Sequence, residues 1–319
     1  MTTDALPRRQ FGVLDVVRWV ILLLVLVAVA VALWRNWHDV ARNLRRVGPD
    51  TLGLALLCAL ASPVFTLMAW RRILADVGSV LHVAPASGVY FVGQLGKYVP
   101  GSVWSIVAQT EIGARLGIPR RRLGVTGLVT IGLALVTGAV VGLPAIPLLL
   151  RSRGGGTPWW LTLVTAAACL VVLAPPVLNR VVGLALRVLR REPLAHPLSS
   201  RALVGSTGWL LVSWLFMGGA VWILARSLAG SAASPSHVLA AALCGSVLAA
   251  TLGMASLFVP AGVGVREAVL LLLLGDVLST SQAAAVVVLA RFLSIVVDIV
   301  AAAVGWLYAR THHLLGRRA

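Results

Sequence analysis

The chain has 319 residues, 59% of them hydrophobic and only 12% charged, and its 27 basic and 10 acidic residues give a formal net charge of +17. A soluble domain carries roughly 25% charged residues, so the composition excludes an ordinary soluble fold and points to an all-α polytopic membrane protein. The basic excess would suit nucleic acid in a soluble chain, but here the arginines fall in short loops between apolar spans, where they set topology and meet lipid headgroups. No nucleic-acid partner is expected.

Residues 1–17 read as a short cytoplasmic lead. Trp19 to Trp34 is uncharged between Arg18 and Arg35. It is long for a signal-peptide core and closes like a membrane interface, so a retained first span is expected. Trp37, Val40, Leu44 and Val47 then recur at helical spacing with arginines between them, an amphipathic pattern suited to the headgroup layer or to a solvated loop helix. Thr51 to Trp70 is a second span, closed by Arg71-Arg72. Residues 86–110 are a broken apolar segment. After the basic loop Arg115 to Arg122 come spans at Leu123 to Leu150, Pro158 to Leu178 and Ala202 to Ala225. Residues 237–275 form a second broken segment, and Ala283 to Ala309 is the last span. Cys58, Cys169 and Cys244 lie in apolar runs without metal-ligand spacing and read as small buried residues.

The whole of 1–319 therefore reads as one integral membrane domain, with a first half at 18–150 and a second at 151–319. If both broken segments are re-entrant hairpins, six full spans remain, both termini are cytoplasmic, and most arginines fall on the cytoplasmic side, as the positive-inside rule requires. The same arrangement makes the two broken segments an inverted repeat. Interrupted apolar segments in two halves of a chain are the best sequence pointer to a transporter's binding site.

Each broken segment combines Pro and Gly with rare charges, and a charge at membrane depth marks a functional site by default. In the first, Pro100-Gly101-Ser102 has the chemistry of a helix start, whose free N–H groups suit an anion. Lys97 stands just before it, and Gln94 and Tyr98 add polar reach. In the second, Pro260, Gly262 and Gly264 allow a sharp turn before Arg266 and Glu267, which open an expected helix at 266–275. Arginine suits two-pronged contact with phosphate. Glu267 either orients Arg266 or carries a proton, or the Arg266 and Glu267 charges form a structural ion pair that pins the turn to Arg291 or Asp298. The last span sets Arg291, Ser294 and Asp298 on one helical face, expected to look into the bundle, with Arg291 paired to a carboxylate. Glu111 and Arg115 are spaced for a surface pair. No Ser-His-Asp set, zinc-ligand cluster or phosphate loop is visible, so neither an enzyme nor a cofactor or metal is expected.

Three motifs together resemble the lysylphosphatidylglycerol synthase transmembrane, flippase-like family. They are Trp70-Arg71-Arg72-Ile73-Leu74 followed by Gly78, Gly93-Gln94-Leu95-Gly96-Lys97-Tyr98-Val99-Pro100-Gly101, and Pro260-Ala261-Gly262-Val263-Gly264-Val265-Arg266-Glu267. The resemblance runs from about residue 10 to 310 and implies lipid handling. Two-part members carry a separate soluble synthase domain; none is seen in this sequence, so aminoacyl transfer is not expected. The function so implied is translocation of an anionic or modified phospholipid, a glycolipid or a polyprenyl-linked lipid between leaflets of the cytoplasmic membrane. Membrane lipids would be its partners, along with envelope-assembly enzymes or further copies of the chain. The rival classes are an ion- or proton-coupled carrier for a small solute, with Glu267 and Asp298 as proton sites, and a non-transporting scaffold for envelope glycosyltransferases.

Overall fold

The computed structural model describes residues 37–98, 104–146, 197–230, 233–256 and 262–311, with scattered positions between 160 and 184. The expected span Trp19 to Trp34 lies outside the described residues, and so does most of Pro158 to Leu178. The described elements are all helical. In chain order they are α1 (Trp37–Arg46), α2 (Pro49–Asp76), α3 (Val83–Gln94), a 3₁₀ turn (Leu95–Tyr98), α4 (Trp104–Ala114), α5 (Arg120–Gly142), α6 (Ser200–Leu228), α7 (Pro235–Ala255), α8 (Val265–Leu274) and α9 (Thr280–Thr311). Of these α2, α5, α6, α7 and α9 are long and apolar enough to cross a membrane.

α1 is the amphipathic helix the arginine-rich spacing suggests. Val40 and Val47 are buried and Leu44 packs with them against residues of α6 and α9, while Arg45 and Arg46 are exposed. Asn43 Nδ2 donates to Ser281 Oγ at 3.2 Å, tying α1 to the start of α9.

α2 extends past Arg71-Arg72, beyond the expected end at Trp70. Trp70 is fully buried, and Arg71 turns back to donate two N–H groups to the Leu81 carbonyl at 3.0 and 2.8 Å. The helix stops where Gly78 takes φ +92°, a conformation that side-chain-bearing residues rarely adopt. Arg122 Nη1 donates to the Gly78 carbonyl at 2.6 Å and so links this corner to α5. The first motif thus closes a helix and holds the following loop.

α2 and α6 form the most extensive helix pair. Cys58 meets Phe216, Ser62 meets Ser213, and Ser206 meets Ala69. Asp76 binds Ser199, which in turn caps α6 through Ala202 N. Rising numbers on α2 meet falling numbers on α6, so the two run antiparallel.

The first broken segment becomes two limbs, α3 and α4, of about 18 and 16 Å at 1.5 Å per residue, each well short of the roughly 30 Å hydrocarbon layer. Glycine brings them together: a Cβ at Gly93 would overlap Gln109, and one at Gly96 would lie 2.6 Å from Ser105 N. The second broken segment has two unequal limbs. Its first limb, α7, has 21 residues and is of crossing length; Pro235 opens it and no charged residue interrupts it before Ala255. The second limb, α8, runs Val265–Leu274, one residue earlier than the expected 266–275.

In lipid the hydrophobic effect does not hold helices together, so close approach through small residues must. α3 packs on α9 where Gly88 meets Tyr308 and Gly305 meets the Ser87 carbonyl, a Cβ at Gly305 falling 2.9 Å from that oxygen. α5 packs on α7 where Gly142 lies against Leu248. A Gly305→Leu substitution should push α3 off α9, with overpacking costs of about 1–3 kcal/mol or more. The expected outcome is a lower unfolding temperature and aggregation on gel filtration, whereas Gly132→Leu, with open space around it, should leave both unchanged.

Candidate functional site

A cavity of about 370 Å³ lies where α2, α5, α6, α7, α8 and α9 meet the tip of the α3–α4 hairpin. Of the residues singled out in the sequence, Gln94, Lys97, Tyr98, Gly262, Arg266, Arg291, Ser294 and Asp298 all line it. Gly264 and Glu267 stand behind that lining and support it. Pro100, Gly101, Ser102 and Pro260 lie outside the described residues, so the expected helix start at Pro100 is not among the elements above.

The charges come from distant parts of the chain. The 3₁₀ turn delivers Lys97 and Tyr98, and both reach Asp298 of α9: Lys97 Nζ lies 2.6 Å from Oδ1, and the Tyr98 hydroxyl donates to Oδ2. Lys97 Nζ also sits 5.4 Å from the centre of the Tyr98 ring, a cation–π distance. One carboxylate therefore holds the hairpin tip to the last helix.

The second cluster forms at the start of α8. Gly262 (φ +63°) and Gly264 (φ +88°) turn the chain, and Gly262 packs on Gly253 so closely that a Cβ there would lie 2.7 Å from the Gly253 Cα. Glu267 folds back to accept the Gly264 N–H and also pairs with Arg291 Nη1 at 3.5 Å. Among the carboxylates open to Arg291, it is thus Glu267 that takes it. Arg266 points elsewhere: its Nη2 donates to Ser294 Oγ at 3.3 Å, its one hydrogen bond among the described residues. The face Arg291, Ser294, Asp298 looks into the bundle as its spacing requires.

The rest of the lining is different. α5 contributes Thr130, Ile131 and Ala134, and α6 contributes Trp214 and Met217. The lining also holds a hydroxyl ladder that the sequence reading missed: Ser213 Oγ bonds Ser62 Oγ at 2.9 Å and Thr66 Oγ1 at 2.8 Å. Its sequence signal was Pro63, which sits inside α2 beside Ser62 and removes the N–H that the Ala59 carbonyl would accept. Ala59 and Pro63 both line the cavity. Gln109 is buried against Gly93 between the two limbs. On the surface, Glu111 is gripped by Arg120 through two N–H groups at 3.0 Å each, and the guanidinium holds its carboxyl below the usual range.

The site is therefore amphipathic: among the described residues it brings three cations and two carboxylates together with apolar and hydroxyl side chains. It lies at the meeting point of helices long enough to cross a membrane. No curated protein matches the chain. Residues 18–302 match the family described as the lysylphosphatidylglycerol synthase TM region. The chain belongs to that family of membrane proteins, whose description ties it to lipid.

Proposed function

We propose that this protein moves a lipid with an anionic headgroup between the leaflets of the cytoplasmic membrane. The headgroup occupies the cavity and the acyl chains stay in the bilayer. The observation that carries this reading is the placement of Arg266: a cation lining the cavity, with a single hydroxyl partner among the described residues, in a lining that is otherwise largely apolar. The way out to lipid lies at the hairpin tip, where Leu95 is 43% and Tyr98 39% exposed.

Two further features support a translocase over a static lipid-binding protein. The helix starts Pro49, Val83, Trp104 and Arg120 recur at Ser200, Pro235, Val265 and Thr280, about 150 to 160 residues later in each case. The repeated helices α2 and α6 run antiparallel, as an inverted repeat demands. Their contacts obey the same relation: the offset carries Ser62 onto Ser213, and carries the Cys58–Phe216 contact onto the Phe65–Trp209 stack. α9 packs on α3 just as α5 packs on α7. Such a pseudo-two-fold allows alternate opening to either side by rocking around a fixed site. In this reading α3–α4 is re-entrant, and the arginine distribution places the termini in the cytoplasm.

The test is translocation in proteoliposomes loaded with a fluorescent anionic lipid, with an impermeant quencher added outside. Quenching beyond the outer-leaflet half is expected with the protein, and only that half with protein-free vesicles. Quenching that stops at half for anionic phospholipid, glycolipid and polyprenyl-phosphate sugar alike, beside pH-dependent uptake of a water-soluble solute, would replace the reading with the solute carrier.

A further inference from the structure

We infer that the cavity selects a headgroup with a net negative charge and a neutral hydroxylated remainder, a glycerophosphoryl or sugar-phosphate group, and rejects a cationic one. The inference rests on the lipid-translocase reading for its biological sense, but its argument is the charge inventory of the cavity.

Among the described residues, both carboxylates at the cavity are paired within the protein. Asp298 gives one oxygen to Lys97 and the other to Tyr98. Glu267 gives one to Arg291 and the other to the Gly264 N–H. A ligand ammonium would have to share a carboxylate oxygen with an internal partner already bound to it. Among the described residues the three cations Lys97, Arg266 and Arg291 exceed the two carboxylates by one, and the surplus falls on Arg266. A guanidinium has five N–H donors; among the described residues one of them is used, on a neutral hydroxyl. A cation away from water is costly unless paired, so the site is electrostatically complete only when an anion arrives. A phosphate meets a guanidinium with two parallel bonds. The hydroxyls of Ser62, Thr66 and Ser213 serve the rest of the headgroup. They are neutral, and each keeps acceptor capacity beyond the ladder. They can satisfy a polyol or a sugar but offer no counter-charge to an amine.

The repeat sharpens the point. The offset that relates α9 to α5 carries Arg291 onto Ile131, Ser294 onto Ala134 and Asp298 onto Gly138, all without charge. The anion seat therefore exists once, on the α8–α9 side, and the other half of the pseudo-two-fold supplies the neutral wall.

The experiment is native mass spectrometry of the full chain in detergent with an equimolar mixture of phosphatidylglycerol, its lysyl ester and phosphatidylethanolamine, beside soluble glycerol phosphate. Phosphatidylglycerol should be bound about tenfold or more over its cationic lysyl ester, and that preference should vanish in Arg266→Gln but survive in Arg266→Lys. Equal or tighter binding of the lysyl ester overturns the inference, as does selective binding unaffected by Arg266→Gln, and so does a failure of all four to bind. Glycerol phosphate bound as tightly as the lipid would keep the charge rule and sink the lipid translocase. The same would follow if the protein selected phosphatidylglycerol but left it unmoved in vesicles.

Discussion

Replacing Arg266 with glutamine is expected to lower anionic-lipid translocation by at least about tenfold while leaving the protein folded. A charge-assisted hydrogen bond contributes about 1.5–3 kcal/mol, which is a factor of roughly 10 to 150 in an equilibrium or rate. Among the described residues Arg266 makes one hydrogen bond, to Ser294 Oγ at 3.3 Å, and glutamine can keep a donor there. The fold should tolerate the change, since Arg266 is not part of either ion pair. Wild type and Arg266→Gln would be compared by unfolding temperature, gel-filtration profile and initial quenching rate. A variant that melts early and loses activity in proportion would make Arg266 a structural residue and remove the main support for the lipid path.

The same residue shows what the sequence could and could not reveal. Arg266 and Lys97 were visible as candidates because a charge stands out in an apolar run. Gly262 and Gly264 were visible because a turn beside that charge needs backbone freedom. Pairings were not visible: Lys97 and Asp298 are 201 residues apart, and the choice of Glu267 for Arg291 depends on how α8 packs on α9. Ser62, Thr66 and Ser213 were missed because hydroxyls in apolar helices usually bond their own preceding turn and send no signal of clustering. In the second broken segment Pro260, Gly262 and Gly264 marked the interruption, but the start and length of α7 were less legible because no acidic or basic residue marks a boundary from Ser227 to Val265. The proposed repeat shares few residues, little beyond Val-Pro and a following small residue; its support is the spacing of helix starts, which packing can keep while side chains change.

The second large effect is expected at Asp298, and it should be asymmetric. Asp298→Ala leaves the Lys97 ammonium and the Tyr98 hydroxyl without their shared acceptor. Lys97→Ala leaves Asp298 still bonded to Tyr98. Breaking a buried pair from one side costs about 3–5 kcal/mol and an exposed pair less than about 1 kcal/mol. With side chains 36% and 22% exposed, this pair lies between those limits. Asp298→Ala should therefore lower the unfolding temperature clearly, and Lys97→Ala should lower it less. Adding Lys97→Ala to Asp298→Ala should recover part of the loss, because it removes the stranded cation. Functionally the two differ again. Asp298→Ala raises the cation surplus at the cavity from one to two and frees the hairpin tip, so anionic lipid should bind at least as well but turn over more slowly. Lys97→Ala removes the surplus while leaving Arg266 in place, and should weaken binding. A double-mutant cycle on unfolding temperature, read beside lipid binding, checks both claims. Equal losses in the two single variants with simple additivity in the double would mean that the Lys97–Asp298 contact does not hold the hairpin to α9.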